Sequence, residues 1–346
     1  MKLFYKYIAL IFLVGLAQYV CAQDAMFSQN DLTPLHINPA LSGLQKDVSL
    51  NAGYRTQWGR TGESFETAIA SVDVALKPKK KSNKSYLGVG MNFYNDIAGV
   101  PKTRNTAAHL NIAYHLFFNE RSSLSVALNG GYHGVSVNYN DGKWGSQFDG
   151  WEHNPTLPSG ENIIDGARAN IDVGTGVVYS FRRENQKEIN GNIPIFQAGL
   201  AFYHVNRPNL SIHSESDYAL PMRFSSFLTA NVGIGNKFLV SPGIYIHAQN
   251  KFNQVLFGAN IRYTLIESLK STSLVSQVNT AYFSLGLFYR SSDAVIMRCL
   301  LEYTNYAFGI AFDVTTSNLQ STVQSRGATE LVIRYSIASK KMKAFY

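Results

Sequence analysis

The chain has 346 residues, with 31 Lys+Arg against 23 Asp+Glu, 16% charged and 13% aromatic residues, and a hydrophobic content of 45%. Disorder is excluded by the aromatic and aliphatic content, a disulfide scaffold by the count of two cysteines, and a polytopic helical membrane protein by the lack of an apolar run of about 20 residues beyond the N-terminus. What remains is the profile of a β protein, with one face turned to lipid and the other to water.

Lys2 and Lys6 form a basic start, Ile8 to Ala17 an apolar core, and Val20 and Ala22 supply the tolerated residues of a processing site. The expectation is a signal peptide over 1–22, an N-terminal periplasmic or lumen segment over 23–47, and a β-barrel over 48–346. Lipid modification at Cys21 is not expected, because Val20 and Gln18 stand where that chemistry wants a small residue and a leucine. The mature chain keeps Cys299 alone, which cannot close an intrachain disulfide. The basic group Lys77, Lys79, Lys80, Lys81 and Lys84 reads as a solvated turn, and the diffuse positive balance gives no reason to expect a nucleic-acid partner.

Beyond residue 47, apolar and polar residues alternate with period two. Val48, Leu50, Ala52 and Tyr54 alternate with Ser49, Asn51, Gly53 and Arg55; Leu87, Val89, Met91 and Phe93 with Gly88, Gly90 and Asn92. The same rhythm predicts strands at 48–57, 67–76, 86–95, 104–117, 122–139, 170–181, 195–204, 222–234, 238–249, 254–264, 280–291, 293–303, 306–313 and 330–337. Most approach the 9–11 residues that a tilted strand needs to cross a bilayer. One face is bulky and apolar; the other is small or polar, with few of the Lys and Glu that a soluble sandwich carries on its wet face. The predicted fold is therefore all-β, a transmembrane antiparallel up-and-down barrel of about 14 strands, of outer-membrane type. Tyr54, Tyr94, Tyr114, Tyr203, Tyr289, Tyr303 and Tyr335 lie near strand ends and are candidates for interfacial girdles.

Short polar turns join most strands. Three long connections, about 140–169, 205–221 and 314–329, fall on the outside if both chain ends face the periplasm. The stretches 182–194 and 265–279 are then long inner turns.

Chemistry is sparse. Eight histidines are scattered singly, with no zinc-motif spacing, and His109, Asn111 and His115 on one strand face read as lumen lining. Gly174-Thr175-Gly176 and Gly233-Ile234-Gly235 lie inside strands with no helix following, so they do not cradle phosphate. Asp149 and His153 share a loop with no recognisable nucleophile. No catalytic residue, cofactor or metal is expected, and the protein is not read as an enzyme. Cys299 falls on the apolar face beside Met297 and Leu301. Arg55, Arg262, Arg290, Arg298, Glu302, Asp313, Glu330 and Arg334 fall on the polar face. Charges inside a narrow barrel need partners, and internal ion pairs are preferred here to a selectivity filter. Such pairs are also suited to hold a plugging segment, 23–47.

Several motifs carry a resemblance. The mature start reads Gln23-Asp24-Ala25-Met26-Phe27-Ser28-Gln29, followed by Asn38-Pro39-Ala40-Leu41-Ser42-Gly43 and Tyr54-Arg55-Thr56-Gln57-Trp58. Further on come His204-Val205-Asn206-Arg207-Pro208-Asn209 with the later Leu220-Pro221, Tyr289-Arg290-Ser291-Ser292-Asp293-Ala294, Phe312-Asp313-Val314-Thr315-Thr316-Ser317-Asn318-Leu319, and Gly327-Ala328-Thr329-Glu330-Leu331. In this order they resemble the PorP/SprF family of Bacteroidetes outer-membrane proteins over nearly the whole mature chain. Departures are a longer 264–281 connection, Thr56 where Ser is common, and the tail Lys340 to Tyr346.

The resemblance implies a cell outer-membrane component of the type IX secretion and gliding machinery. Such a component binds, and helps export or surface-anchor, a secreted adhesin or other cargo with a C-terminal sorting domain. It also implies contact with a periplasmic peptidoglycan-binding lipoprotein and with outer-membrane lipids. Candidate partner-binding residues are Trp144, Phe148, Trp151, Arg207 and Tyr218, although Trp144 and Trp151 are equally suited to brace a folded loop. The alternative is an outer-membrane transport channel for small hydrophobic or neutral solutes.

Overall fold

A computed structural model describes residues 24–58, 65–77, 85–99, 102–119, 121–138, 142, 144–160, 166–182, 195–212, 219–235, 237–272, 275–317 and 326–337. The leader expected at 1–22, the lysines 79–81 and 84, Tyr218 and the tail 340–346 lie outside the described residues.

The strands are β1 (Val48–Gln57), β2 (Phe65–Leu76), β3 (Tyr86–Ala98), β4 (Thr103–Phe117), β5 (Ser122–Val137), β6 (Gly166–Phe181) and β7 (Phe196–Tyr203). They continue as β8 (Arg223–Ala230 and Val232–Ile234, interrupted at Asn231), β9 (Phe238–Gln249), β10 (Phe252–Thr272), β11 (Val275–Arg290), β12 (Ala294–Tyr303), β13 (Tyr306–Thr315) and β14 (Arg326–Ile337). Every strand pairs antiparallel with its chain neighbours, and β14 returns to β1 from Val48↔Ile337 to Gln57↔Ala328. The sheet is a closed 14-strand barrel with no free edge.

The alternation sorts the side chains as a lipid-solvated barrel requires. Leu50, Leu87, Met91, Leu110, Ile112, Leu128, Ile171, Leu200, Ile261, Leu287, Ile310 and Ile333 are exposed on successive strands. A continuous apolar belt of this extent marks a membrane surface. Cys299 registers with Leu285 and Ile310 in the same outward row.

Three sequence expectations need correction. Tyr94 and Tyr203 are not girdle residues: they are 4% and 3% exposed, and Tyr203 donates through its hydroxyl to the carbonyl of Leu35, 3.0 Å away. Both fall in phase with the polar rows of their strands, so the pleat turns them inward. The stretch 265–279 is not a long turn. After a bulge between Thr264 and Ile266, β10 and β11 stay paired from Ile266↔Ala281 to Thr272↔Val275. The neighbours β9 and β12 end at Phe238 and Tyr303, opposite Tyr263 and Ala281, so this hairpin stands clear of the barrel by about 20 Å at 3.4 Å per residue. Finally, the lumen is not lined by small and polar residues alone. Phe227, Tyr245, Leu256, Phe288 and Ile296 point inward and are buried.

Those inward apolar groups are covered by residues 24–47. This segment makes three short helical turns, Asn30–Leu32, Pro34–Ile37 and Pro39–Leu41. Pro34 and Pro39 each open a turn where a backbone N–H would have no partner. The Asn38 side chain accepts from the Ala40 N–H at 2.9 Å, and its amide donates to the carbonyls of Val177 and Leu200 in the wall. Leu35, Ile37, Ala40, Leu41 and Leu44 join the wall's Ala113, Ala127, Val178, Phe227, Leu256 and Phe288 in one core.

Glycines in the wall make room for this plug. A Cβ on Gly88 would lie 1.9 Å from the Ser42 carbonyl oxygen, and one on Gly309 2.1 Å from Oε1 of Gln29. The Ser42 contact is backbone and cannot rotate away. Gly88→Val is therefore expected to lift residues 40–44 from the wall and to cost about 1–3 kcal/mol. Hydrogen exchange should show faster exchange at Leu41 and Leu44, whose amides bond to Asn38 and Leu41.

Candidate functional site

Two polar clusters fasten the plug near the end of the barrel that carries the long loops, which faces outside in barrels of this kind. The first is centred on Ser28. Glu330 accepts from two successive plug amides, Ser28 N–H at 2.6 Å and Gln29 N–H at 2.8 Å. The Ser28 hydroxyl donates to Asp313 at 2.8 Å and accepts from Arg55 at 2.7 Å and Arg290 at 2.6 Å. Arg55 pairs with Asp313 at 2.8 Å and Glu330 at 3.2 Å; Arg290 pairs with Asp313 at 2.9 Å and Asp293 at 2.9 Å. Register explains the meeting, since Arg55 is directly opposite Glu330 across β1 and β14. Two arginines against two carboxylates leave this buried hub balanced, and hydrogen bonds with a charged partner are the stronger kind.

Arg298 reaches the plug rather than a wall carboxylate. It donates to the Ser28 carbonyl, pairs with Asp31 at 3.1 Å, and lies over the Phe288 ring. Arg262, Glu302 and Arg334 form a separate, partly buried group at the turn end of the barrel, with Arg334–Glu302 at 2.7 Å and Arg262–Glu302 at 3.6 Å. It borders a cavity of about 270 Å³ beneath Ile37, Leu41 and Leu44.

The second outer cluster was not visible in the sequence. His204, just past β7, donates from Nε2 to Asp24 and from Nδ1 to Asp172, both at 2.8 Å. Asp172 also takes His109 Nε2 at 2.8 Å, and Arg223 approaches Asp24 at 3.2 Å. Burial opposes the charge on His204, but the carboxylates of Asp24 and Asp172 outweigh it and push its pKa up to about 9. Burial alone would raise the Asp24 carboxyl; His204 and Arg223 instead hold it well below the usual carboxylate range. His36 is driven down to about 3 by burial and by Arg223, so it is neutral and donates from Nε2 to the Ala25 carbonyl at 2.9 Å.

Above the plug lies a loop described at residues 142 and 144–160. Asp149 accepts from the amides of Trp151 and Glu152, and Gln147 donates to the Leu157 carbonyl and contacts the His153 ring. Asp149 and His153 thus serve the loop's own fold and are not paired with each other through their side chains. Trp144 is half-buried against Gly142, whereas Phe148 is 56% and Trp151 93% exposed. Trp144 packs beside Gly142 within the loop, and Trp151 projects from it. Arg207 lies on the next loop, exposed, with φ +46, its amide donating to the His204 carbonyl.

Comparison with known proteins adds the following. The family model for "Type IX secretion system membrane protein PorP/SprF" matches residues 20–335. No curated protein matches the chain. Among solved structures, the chain is similar to the Ralstonia pickettii toluene transporter TbuX, at 11% identity over 89% of this chain and 93% of that one, with a TM-score of 0.49. It is similar to the CymD monoaromatic hydrocarbon channel at 10% identity over 92% and 95%, TM-score 0.47. Omp33 of Acinetobacter baumannii gives 9% identity over 86% and 100%, TM-score 0.39. Likenesses this distant carry no argument about what this chain binds or conducts.

Proposed function

Because the chain belongs to the PorP/SprF family of type IX secretion system membrane proteins, we propose that it is a non-enzymatic outer-membrane adaptor. It binds a secreted partner bearing a C-terminal sorting domain and helps to export that partner or anchor it at the surface. The observation that carries this reading is the filled lumen. Phe27, Ser28, Leu32, Leu35, Asn38, Ala40 and Ser42 of the plug are at most 2% exposed. Binding then falls to the two ends of the barrel.

At the outer end, the loop bearing Phe148 and Trp151 supports a partner surface, since large aromatics on a fixed loop are the side chains that dominate interface energetics. Arg207, exposed on the next loop, extends that surface. At the inner end, the β10–β11 hairpin supports contact with periplasmic machinery, including a peptidoglycan-binding lipoprotein. Where the cargo is an adhesin, gliding motility is the output.

The test is display of sorting-domain cargo in cells whose chromosomal copy is replaced by Phe148→Ala/Trp151→Ala. These exposed positions should change barrel stability by no more than about 0.5 kcal/mol. Co-purified cargo should fall by about tenfold or more, as for loss of a binding hot spot. Normal display and normal cargo recovery at unchanged barrel levels would count decisively against this surface.

A further inference from the structure

We propose that His133, Asp172 and His204 form a binding site for a zinc-class divalent cation in the outer half of the lumen. The three residues are 2%, 1% and 2% exposed, and the ligand atoms they offer lie within 4.8 Å of one another. The sheet register builds the site. His109 on β4 and Asp172 on β6 both register with Gly131 on β5, which has no side chain to keep them apart. His133 follows two residues later on the same inward row, opposite Asn170. Val205 N–H donates to the Val173 carbonyl at 2.9 Å, which sets His204 beside Asp172, and the His133 and His204 rings stand 5.2 Å apart.

A hydrogen-bond network alone accounts for part of this cluster and leaves two atoms over. Asp172 Oδ1 and His133 Nδ1 are buried with no hydrogen-bond partner among the described residues. Leaving such groups unpaired carries their full desolvation cost. Both are first-rate donors to a cation, and two imidazoles with one carboxylate are a ligand set that zinc accepts, with a fourth place open to water. Outer partners that metal-binding histidines and carboxylates usually have are also present. Asp24 takes the far nitrogen of His204, and His109 holds Asp172 Oδ2. At His204 Nδ1, a cation takes the place of the proton that otherwise bridges to Asp172. Through Asp24, the ion would tie the start of the plug to three adjacent strands.

The test uses the full chain, purified in detergent, stripped with a chelator, titrated with zinc and separated from free metal by gel filtration. About one zinc per chain should be retained. X-ray absorption should show imidazole nitrogens together with oxygen in the zinc shell. His133→Gln and Asp172→Asn should weaken binding by at least about tenfold, and His109→Gln by about 10–100-fold as an outer partner. His247→Gln, another buried lumen histidine outside the cluster, should bind as the parent does. Substoichiometric zinc on the folded parent, a zinc shell without imidazole, or unchanged affinity in the His133 and Asp172 variants would overturn the proposal. If those variants do not fold, the absorption spectrum of the parent decides alone.

Discussion

Glu330→Ala is expected to lower the unfolding free energy of the barrel by about 3–5 kcal/mol, the range for removing one partner of a buried ion pair. The loss has three sources. Arg55 and Arg290 are left to share Asp313 as their one buried carboxylate. The Ser28 and Gln29 amides lose their acceptors. The cavity left by the side chain has no route to solvent, since Glu330 is 0% exposed. Urea titration in micelles, read by heat-modifiable electrophoretic mobility, measures the change. Glu330→Gln keeps an acceptor for one amide and removes only the charge, so it should lose less. Glu302→Ala should also cost less, because Glu302 and its partners Arg262 and Arg334 are partly solvated. A loss of under about 1 kcal/mol for Glu330→Ala would put the pair in the weakly contributing class of solvated salt bridges and dissolve the hub as an anchoring device.

That hub shows what the sequence reveals and what it conceals. Period-two alternation places strands at 48–57 and 238–249 with the same limits as β1 and β9, because a lipid belt outside forces a strict in–out rhythm. It misses the ends of β10 and β11, because the bulge at Leu265 breaks the phase and a hairpin beyond the membrane has no lipid to satisfy. Arg55, Asp313 and Glu330 can be read as inward charges, but their common partner cannot. Ser28 has no pattern of its own, and only the closure of β14 on β1 brings it between them. The same holds for the motifs that carry the family resemblance. Ser28, Arg55, Arg290, Asp293, Asp313 and Glu330 come from five separate motifs and meet at one point. Their spacing along the chain looks arbitrary because the spacing that matters runs around the barrel. His109, His133 and His204 escape a search for metal-ligand spacing for the same reason: His109 and His133 lie within two different strands and His204 just beyond a third, and the packing of neighbouring strands joins them to Asp172.

Removing the plug should have the largest functional effect. A chain that lacks residues 24–44 loses the apolar partners of Phe227, Leu256 and Phe288 and the anchors of both outer clusters. In planar bilayers the parent should stay near silent. The deletion should raise conductance by about tenfold or more, since 14 strands approach the 16–18 of porins that hold an aqueous channel. Gly88→Val, which disturbs only the inner part of the plug, should fall between them. The three measurements separate the adaptor from a solute channel. A parent that conducts with its plug in place would remove the observation on which the adaptor reading rests. A silent deletion would mean that something besides residues 24–44 closes the lumen. A silent parent and a conducting deletion, together with cargo loss in Phe148→Ala/Trp151→Ala, would place binding at the rim and assign the lumen to holding that rim in shape. The plug would then act through the hub at Ser28, because the strand ends it ties together, at Arg55, Arg290, Asp313 and Glu330, are those from which the outer loops spring.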